Sequence, residues 1–137
     1  MTKHHTFSIR IYFEDTDAGG IVYYANYLRF AERARTEFMR ALGWDHSGLI
    51  KTQGTMFVVR TCTLHCIAPA YLDDMIEVRT TCTEQRGASL TLTQDIFRGD
   101  TVIANLTILL AYVNRDGKPV RVEKGLRDAL SMKESLR

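Results

Sequence analysis

The chain has 137 residues, 45% hydrophobic, 9% aromatic and 25% charged, which excludes collagen-like, low-complexity and broadly disordered proteins. A single domain of this length buries roughly two-thirds of the surface its unfolded chain exposes, so an ordinary apolar core needs no staples. Eighteen Lys and Arg against 16 Asp and Glu, with no long run of either sign, give no support to a general nucleic-acid or membrane-surface role.

The N-terminal Met1-Thr2-Lys3-His4-His5 lacks the apolar stretch of a secretory signal. No apolar run of about 18 residues is present to span a bilayer, so the expectation is a cytoplasmic, soluble protein. Cys62, Cys66 and Cys82 are odd in number and lack paired metal spacing; they read as reduced core thiols.

Between Phe7 and Phe13, Phe7, Ile9, Ile11 and Phe13 alternate with Ser8, Arg10 and Tyr12, the period of a strand buried on one face. Glu14-Asp15-Thr16-Asp17-Ala18-Gly19-Gly20 then makes a shaped loop, because glycine permits unusual backbone angles and Asp and Thr side chains bond nearby amides. From Tyr27 to Leu42 the apolar period changes to three and four, predicting an amphipathic helix with Asn26 as N-cap and Gly43 as its stop. Ala31 and Ala34 in the apolar stripe let that helix approach a sheet closely, and Arg33–Glu37 has the spacing of a helical ion pair. Residues 45–52 read as a short second helix.

The remainder is strand after strand. Residues 56–67 form one, ended by Ala68-Pro69. Residues 75–84 form the next, with Ile76, Val78, Thr80 and Cys82 facing one way. Arg86-Gly87 turns into 88–97, where Leu90, Leu92 and Ile96 share a face, and Arg98-Gly99-Asp100 turns into a long strand over 101–113. Residues 122–134 resemble a polar terminal helix. The order β-α-β-β-β-β with short final connections predicts an α+β domain, one antiparallel sheet covered by one helix. In the last strand Ile103, Leu109 and Val113 oppose Val102, Leu106, Ile108 and Leu110, so a second subunit is expected over its other face.

The acidic loop runs directly into Ile21-Val22-Tyr23-Tyr24-Ala25-Asn26 and the helix. Free amides at a helix start bind oxyanions, and glycines admit a ligand close to the backbone. The bland alternative makes Asp15 and Asp17 turn and cap residues only.

The stretch from Tyr12 to Leu28, containing Glu14-Asp15-Thr16-Asp17-Ala18-Gly19-Gly20 and Tyr24-Ala25-Asn26-Tyr27-Leu28, resembles the signature of hotdog-fold acyl-CoA thioesterases. Glu32-Arg33-Ala34-Arg35-Thr36-Glu37, Phe57-Val58-Val59-Arg60, Ala68-Pro69-Ala70, Leu72-Asp73-Asp74 and Arg86-Gly87-Ala88-Ser89-Leu90 extend the likeness over nearly the whole chain. It is similar to the branch holding 4-hydroxybenzoyl-CoA thioesterase and the thioesterases of the bacterial Tol–Pal system. The resemblance implies a single domain over 1–137, a curled antiparallel sheet wrapped around one long helix, and a homodimer, often a homotetramer, with active sites at the subunit junction. It implies hydrolysis of a short-chain, long-chain or aromatic acyl-CoA to free acid and coenzyme A without metal or organic cofactor, with acyl carrier protein as a further partner.

By the same resemblance Asp17 is the catalytic carboxylate, acting either as general base on water or as nucleophile. The leaving thiol, with a pKa of about 8.5, departs as thiolate without strong acid help. Amides of Ile21, Val22, Tyr23 and Tyr24 are expected to hold the oxyanion, with Asn26 beside the substrate. Many relatives place histidine where this chain has Tyr24, and tyrosine, with a pKa of about 10, donates a hydrogen bond but cannot serve as base near pH 7. Arg60 and Arg86 are candidates for the phosphates of coenzyme A, since guanidinium suits phosphate geometry, and Ser89 for the pantetheine channel. His65 reads as a half-buried structural residue, His46 as a surface residue, and Glu32 with Arg35 as a buried pair. The alternative function is a binding module for acyl-CoA or acyl carrier protein with little turnover. A hotdog dehydratase is disfavoured because Asp17 has no matching histidine.

Overall fold

The computed structural model describes residues 4–44, 48 and 53–131. Five strands, β1 (His4–Arg10), β2 (Met56–Cys66), β3 (Met75–Arg86), β4 (Ser89–Arg98) and β5 (Thr101–Val113), form one sheet in the order β1-β3-β4-β5-β2, each neighbour antiparallel. Helix α1 (Asn26–Ala41) crosses its inner face, and a short helix α2 (Lys124–Ser131) closes the C-terminal segment. The α+β expectation holds.

The core lies between α1 and the sheet. Tyr27, Phe30, Ala31, Ala34 and Phe38 recur on one side of α1 and are buried against Ile9, Ile76, Val78, Leu92 and Ile96. Ala31 and Ala34 are fully buried, so the close approach their size permits is realised. The helix packs closest over β1 and β3, and among the described residues no helix lies comparably close to β2. β3 and β4 keep their alternation: Ile76, Val78, Thr80 and Cys82 point inward, as do Leu90, Leu92, Gln94 and Ile96.

Several expectations are corrected. β1 ends at Arg10, and Phe13, 81% exposed, starts a one-turn 3-10 helix because Tyr12 N–H bonds Asp15 Oδ2 at 2.8 Å and bends the chain away from the sheet. Asn26 is the first helical residue rather than the cap; Ala25 caps without a side-chain bond. Glu37 pairs with Arg40 at 3.3 Å, while Arg33 lies over the Phe30 ring. Cys82 is buried, and burial pushes its thiol up to about 11; Cys62 and Cys66 are free thiols too, but exposed on β2. His65 is exposed rather than half-buried, because β2 is an edge strand with no cover there among the described residues. His46 and nearly all of the expected second helix lie outside the described residues, as does the end of the terminal helix beyond 131.

The doubly apolar reading of β5 holds only near its end. A register shift beside Phe97 lets Ile103 enter the core with Leu106 and Ile108. The outward positions then run Asn105, Thr107, Leu109, and Thr107 falls in one cross-strand row with Thr63, Thr93 and Thr81. That outer face is polar at its middle, so β5 itself carries no strong demand for a covering subunit.

Candidate active site

The loop after β1 is shaped by its own side chains. Thr16 Oγ1 donates to Phe13 O at 2.8 Å, Asp17 N–H donates to Ile21 O at 2.8 Å, and Gly20 N–H donates to Asp17 O at 3.0 Å. Gly20 sits at φ +81°, a conformation a side chain disfavours. Gly19 N–H donates to Asp17 Oδ1 at 2.8 Å, and a Cβ at Gly19 would stand 3.2 Å from that oxygen. The small residue therefore lets the carboxylate close over the backbone. One oxygen of Asp17 is tethered, and Oδ2 has no partner among the described residues. The residue is exposed on the loop.

The loop is stitched to the helix start. Tyr23 N–H and Asn26 Nδ2 both donate to Asp15 O, at 3.0 and 2.9 Å. Asp15 is thus a structural hub, as the bland reading had it, whereas Asp17 keeps a free oxygen. Val22 N–H donates to Ala70 O at 2.9 Å, anchoring the loop to the segment before β3. The amides of Val22 and Tyr23 are consequently spent, which removes two of the four expected oxyanion donors. Among the described residues no bond takes the amides of Tyr24 and Ala25, which face the start of α1 and carry the positive end of its dipole.

Ile21, Val22, Tyr24 and Tyr27 share a shallow groove of about 280 Å³ with Ile67 and Pro69. Tyr23 and Tyr24 touch, ring centroids 5.2 Å apart, and Tyr24 is 60% exposed. Tyr24 also stands at the mouth of a larger groove of about 530 Å³ running between α1 and β2. Its walls are Leu28, Glu32 and Arg35 on the helix and Cys62, Leu64 and Cys66 on the strand. A smaller cavity of about 140 Å³ continues it toward Met39 and Phe57, and Glu32, Arg35 and Val59 border both.

The remaining candidates are not brought together. Arg60 is exposed at the register shift in β2 between Val59 and Thr61. Arg86 and Ser89 face each other in the β3–β4 hairpin, and Arg86 pairs with Glu84 at 2.5 Å. β3 begins beside the Asp17 loop and ends at that hairpin, a run of about 36 Å at ordinary strand rise. Arg86 and Ser89 therefore cannot serve Asp17 of their own chain. Glu32 and Arg35 are not an ion pair: Arg35 Nη1 donates instead to Gln94 Oε1 at 2.9 Å, and burial pushes its pKa down against the opposing pull of Glu32. Gln94, fully buried, donates to Ala31 O at 2.9 Å and to Thr80 Oγ1 at 3.0 Å. The signal for this network was a glutamine in the inward register of Leu90, Leu92 and Ile96.

A curled five-stranded antiparallel sheet with one long helix, and a carboxylate loop feeding the helix start, define a hotdog-fold protein. The thioesterase superfamily model matches residues 19–104. The acyl-CoA thioesterase YbgC of Haemophilus influenzae is 39% identical over 125 residues, covering 90% of this chain and 92% of that protein. Among solved structures, a probable thioesterase from Bartonella henselae superposes with a TM-score of 0.83 at 34% identity, covering 88% of this chain and 99% of that one. A 4-hydroxybenzoyl CoA thioesterase mutant complexed with 4-hydroxybenzoyl CoA gives 0.87 at 20% identity over 94% of this chain and 99% of that one, a likeness of fold. The chain belongs to the thioesterase superfamily.

Proposed function

We propose that the protein hydrolyses acyl-CoA thioesters, with Asp17 supplying the carboxylate that attacks the thioester carbon or deprotonates the attacking water. The observation that carries this reading is the half-tethered Asp17: Gly19 fixes Oδ1 and orients the group, while Oδ2 is left for chemistry. The amides of Tyr24 and Ala25, just ahead of α1, are the donors suited to the carbonyl oxygen as its charge grows, worth about 3 kcal/mol each when aligned. Water adds to the carbon, the C–S bond breaks, and acid and coenzyme A thiol leave. The relative's activity as an acyl-CoA thioesterase agrees with this chemistry.

The site is completed by a second copy. Asp17 lines neither the groove beside Tyr24 and Tyr27 nor the one between α1 and β2, and β2 is an edge strand of the described sheet, with Val59 50% exposed and Ile67, just past its end, 59% exposed. A homodimer joined along that edge brings the partner's surface over the α1–β2 groove, and dimers pair into a homotetramer. In that assembly Arg60, Arg86 and Ser89 act on the neighbouring site, with the arginines toward coenzyme A phosphates. The compartment proposed for this reaction is the cytoplasm, where acyl-CoA and acyl carrier protein are both within reach.

The deciding experiment is thiol release over short, long and aromatic acyl-CoAs. Asp17→Asn lowers kcat by about 10²–10⁴-fold, the usual contribution of a placed acid–base group. Equal turnover by that variant rejects the assignment. Tight acyl-CoA binding with no release, cured by Tyr24→His, establishes the binding-module reading instead.

A further inference from the structure

The α1–β2 groove has mostly apolar walls, and of the three charged side chains on its helix side, Arg29, Glu32 and Arg35, only Arg35 is half-buried. Arg35 borders both the larger groove and its continuation, so it stands at their junction. Its orientation is fixed from below. Gln94 spends its amide hydrogens on Ala31 O and Thr80 Oγ1, which aims Oε1 at the Arg35 guanidinium. Flipping that amide would point an oxygen at a carbonyl oxygen, so the arrangement holds one way only.

One guanidinium N–H group is thereby used. Among the described residues the others have no hydrogen-bond partner, and no carboxylate lies within 4.0 Å of the group. Glu32 lies near enough to act electrostatically, but Arg29 also lines the groove, which leaves it with more positive charge than negative. A half-buried cation with idle donors loses water bonds without replacement when an alkyl chain is laid against it. A carboxylate replaces those bonds and adds a charge-assisted pair, which guanidinium can make two-pronged.

Resting on the thioester-hydrolase reading, we propose that Arg35 determines substrate specificity by binding an oxygen acceptor, best an ionised carboxylate, at the far end of an acyl chain laid along the α1–β2 groove. Ten residues of helix separate Ala25 from Arg35, a rise of about 15 Å. Helical side chains lean back toward the N-terminus, so the chain that links the two is shorter than that rise and of medium length. The substrate class is an ω-carboxyacyl-CoA, with an ω-hydroxyacyl-CoA as the weaker fit.

The test compares suberyl-CoA, ω-hydroxyoctanoyl-CoA and octanoyl-CoA, equal chains that differ only at the terminus. The native enzyme prefers suberyl-CoA over octanoyl-CoA by roughly tenfold or more in kcat/KM, the scale of one charge-assisted bond, with the hydroxyl between. Arg35→Met removes the preference, chiefly by raising KM for suberyl-CoA, and Arg35→Lys keeps part of it. A native preference for octanoyl-CoA, or an unchanged ratio in Arg35→Met, overturns the proposal while leaving the hydrolase reading standing. Binding of the free acids to the native protein gives an independent measure: suberate binds more tightly than octanoate, and the reverse order overturns the proposal even if the variants fail to fold. Hydrolysis of no thioester sinks the hydrolase reading instead, and the acid-binding order still decides the role of Arg35.

Discussion

The two halves of the sheet's inner face differ in how they are finished. Over β1 and β3 the helix lays down Phe30, Ala31, Ala34 and Phe38, and the residues beneath are buried. Over β2 no described helix lies as close; Val59, Cys62 and Cys66 are exposed along the α1–β2 groove, and Met56 and Ile67 stand open at the strand's ends. Stability is concentrated in the first half and the proposed substrate groove in the second. A fold of this kind stays intact while one side is open because the apolar burial that drives folding is already complete elsewhere.

Substitutions on the two sides separate the halves sharply. Phe38→Ala, at a position with no exposure, destabilises by about 3–5 kcal/mol through lost burial and an unfilled cavity. Val59→Lys costs little in a single chain, because the side chain already meets solvent. If the β2 edge joins two copies, the same change shifts the mass in solution toward monomer and lowers thioester hydrolysis with it. Urea unfolding and sedimentation on the two variants check both statements, and a large loss of monomer stability in Val59→Lys would erase the distinction.

The same contrast explains how much was legible in the chain. β3 and β4 were readable to the face because each inward residue meets a completed core, so pattern and burial coincide. β2 read as a strand but not as an exposed one: Cys62, His65 and Cys66 have core-like or mixed chemistry, and only the strand order reveals that β2 is an edge. Phe13 failed for a local reason, the Asp15 bond to Tyr12, which competes with strand continuation. In the site, the Asp17-Ala18-Gly19-Gly20 run showed a shaped loop, whereas the loss of the Val22 and Tyr23 amides depends on Ala70 and Asp15 and has no sequence signature. The distance of Arg86 from Asp17 follows from the length of β3, which the sequence predicted closely. The Arg35–Gln94 contact joins residues 59 apart and lay beyond local pattern.

Gln94 sharpens the comparison because it stands where the halves meet, under α1 but facing the groove through Arg35. Gln94→Leu keeps volume close to native and leaves Ala31 O, Thr80 and Arg35 short of a partner each. The expected cost is about 1–3 kcal/mol, the desolvation of buried polar groups left unpaired. If Arg35 is held for ligand binding, the variant also loses discrimination between suberyl-CoA and octanoyl-CoA beyond what its stability loss explains. A stable Gln94→Leu with native discrimination would make the network a packing feature alone.

The smallest expected effect lies in the finished half, at His5. Its ring is buried beside Phe38, centroids 6.3 Å apart, and Nδ1 has no hydrogen-bond partner among the described residues. Burial holds its pKa below the usual 6.5; Glu37 pulls the other way, and His4 adds to the depression. Well above pH 6.5 the imidazole is neutral whether the chain is folded or not, so it exerts no pH dependence there. As pH falls below that value the unfolded chain takes up the proton first, and linkage then draws the equilibrium toward unfolding until the depressed folded pKa is passed. Stability measured by urea midpoint therefore declines on acidification through this window, and His5→Phe flattens the decline. Glu37 limits the size of the effect, since it is already engaged with Arg40 at the helix surface yet still favours the charged imidazole. A midpoint that rises on acidification, or a slope untouched by His5→Phe, would place the protonation elsewhere and make this edge of the core indifferent to charge.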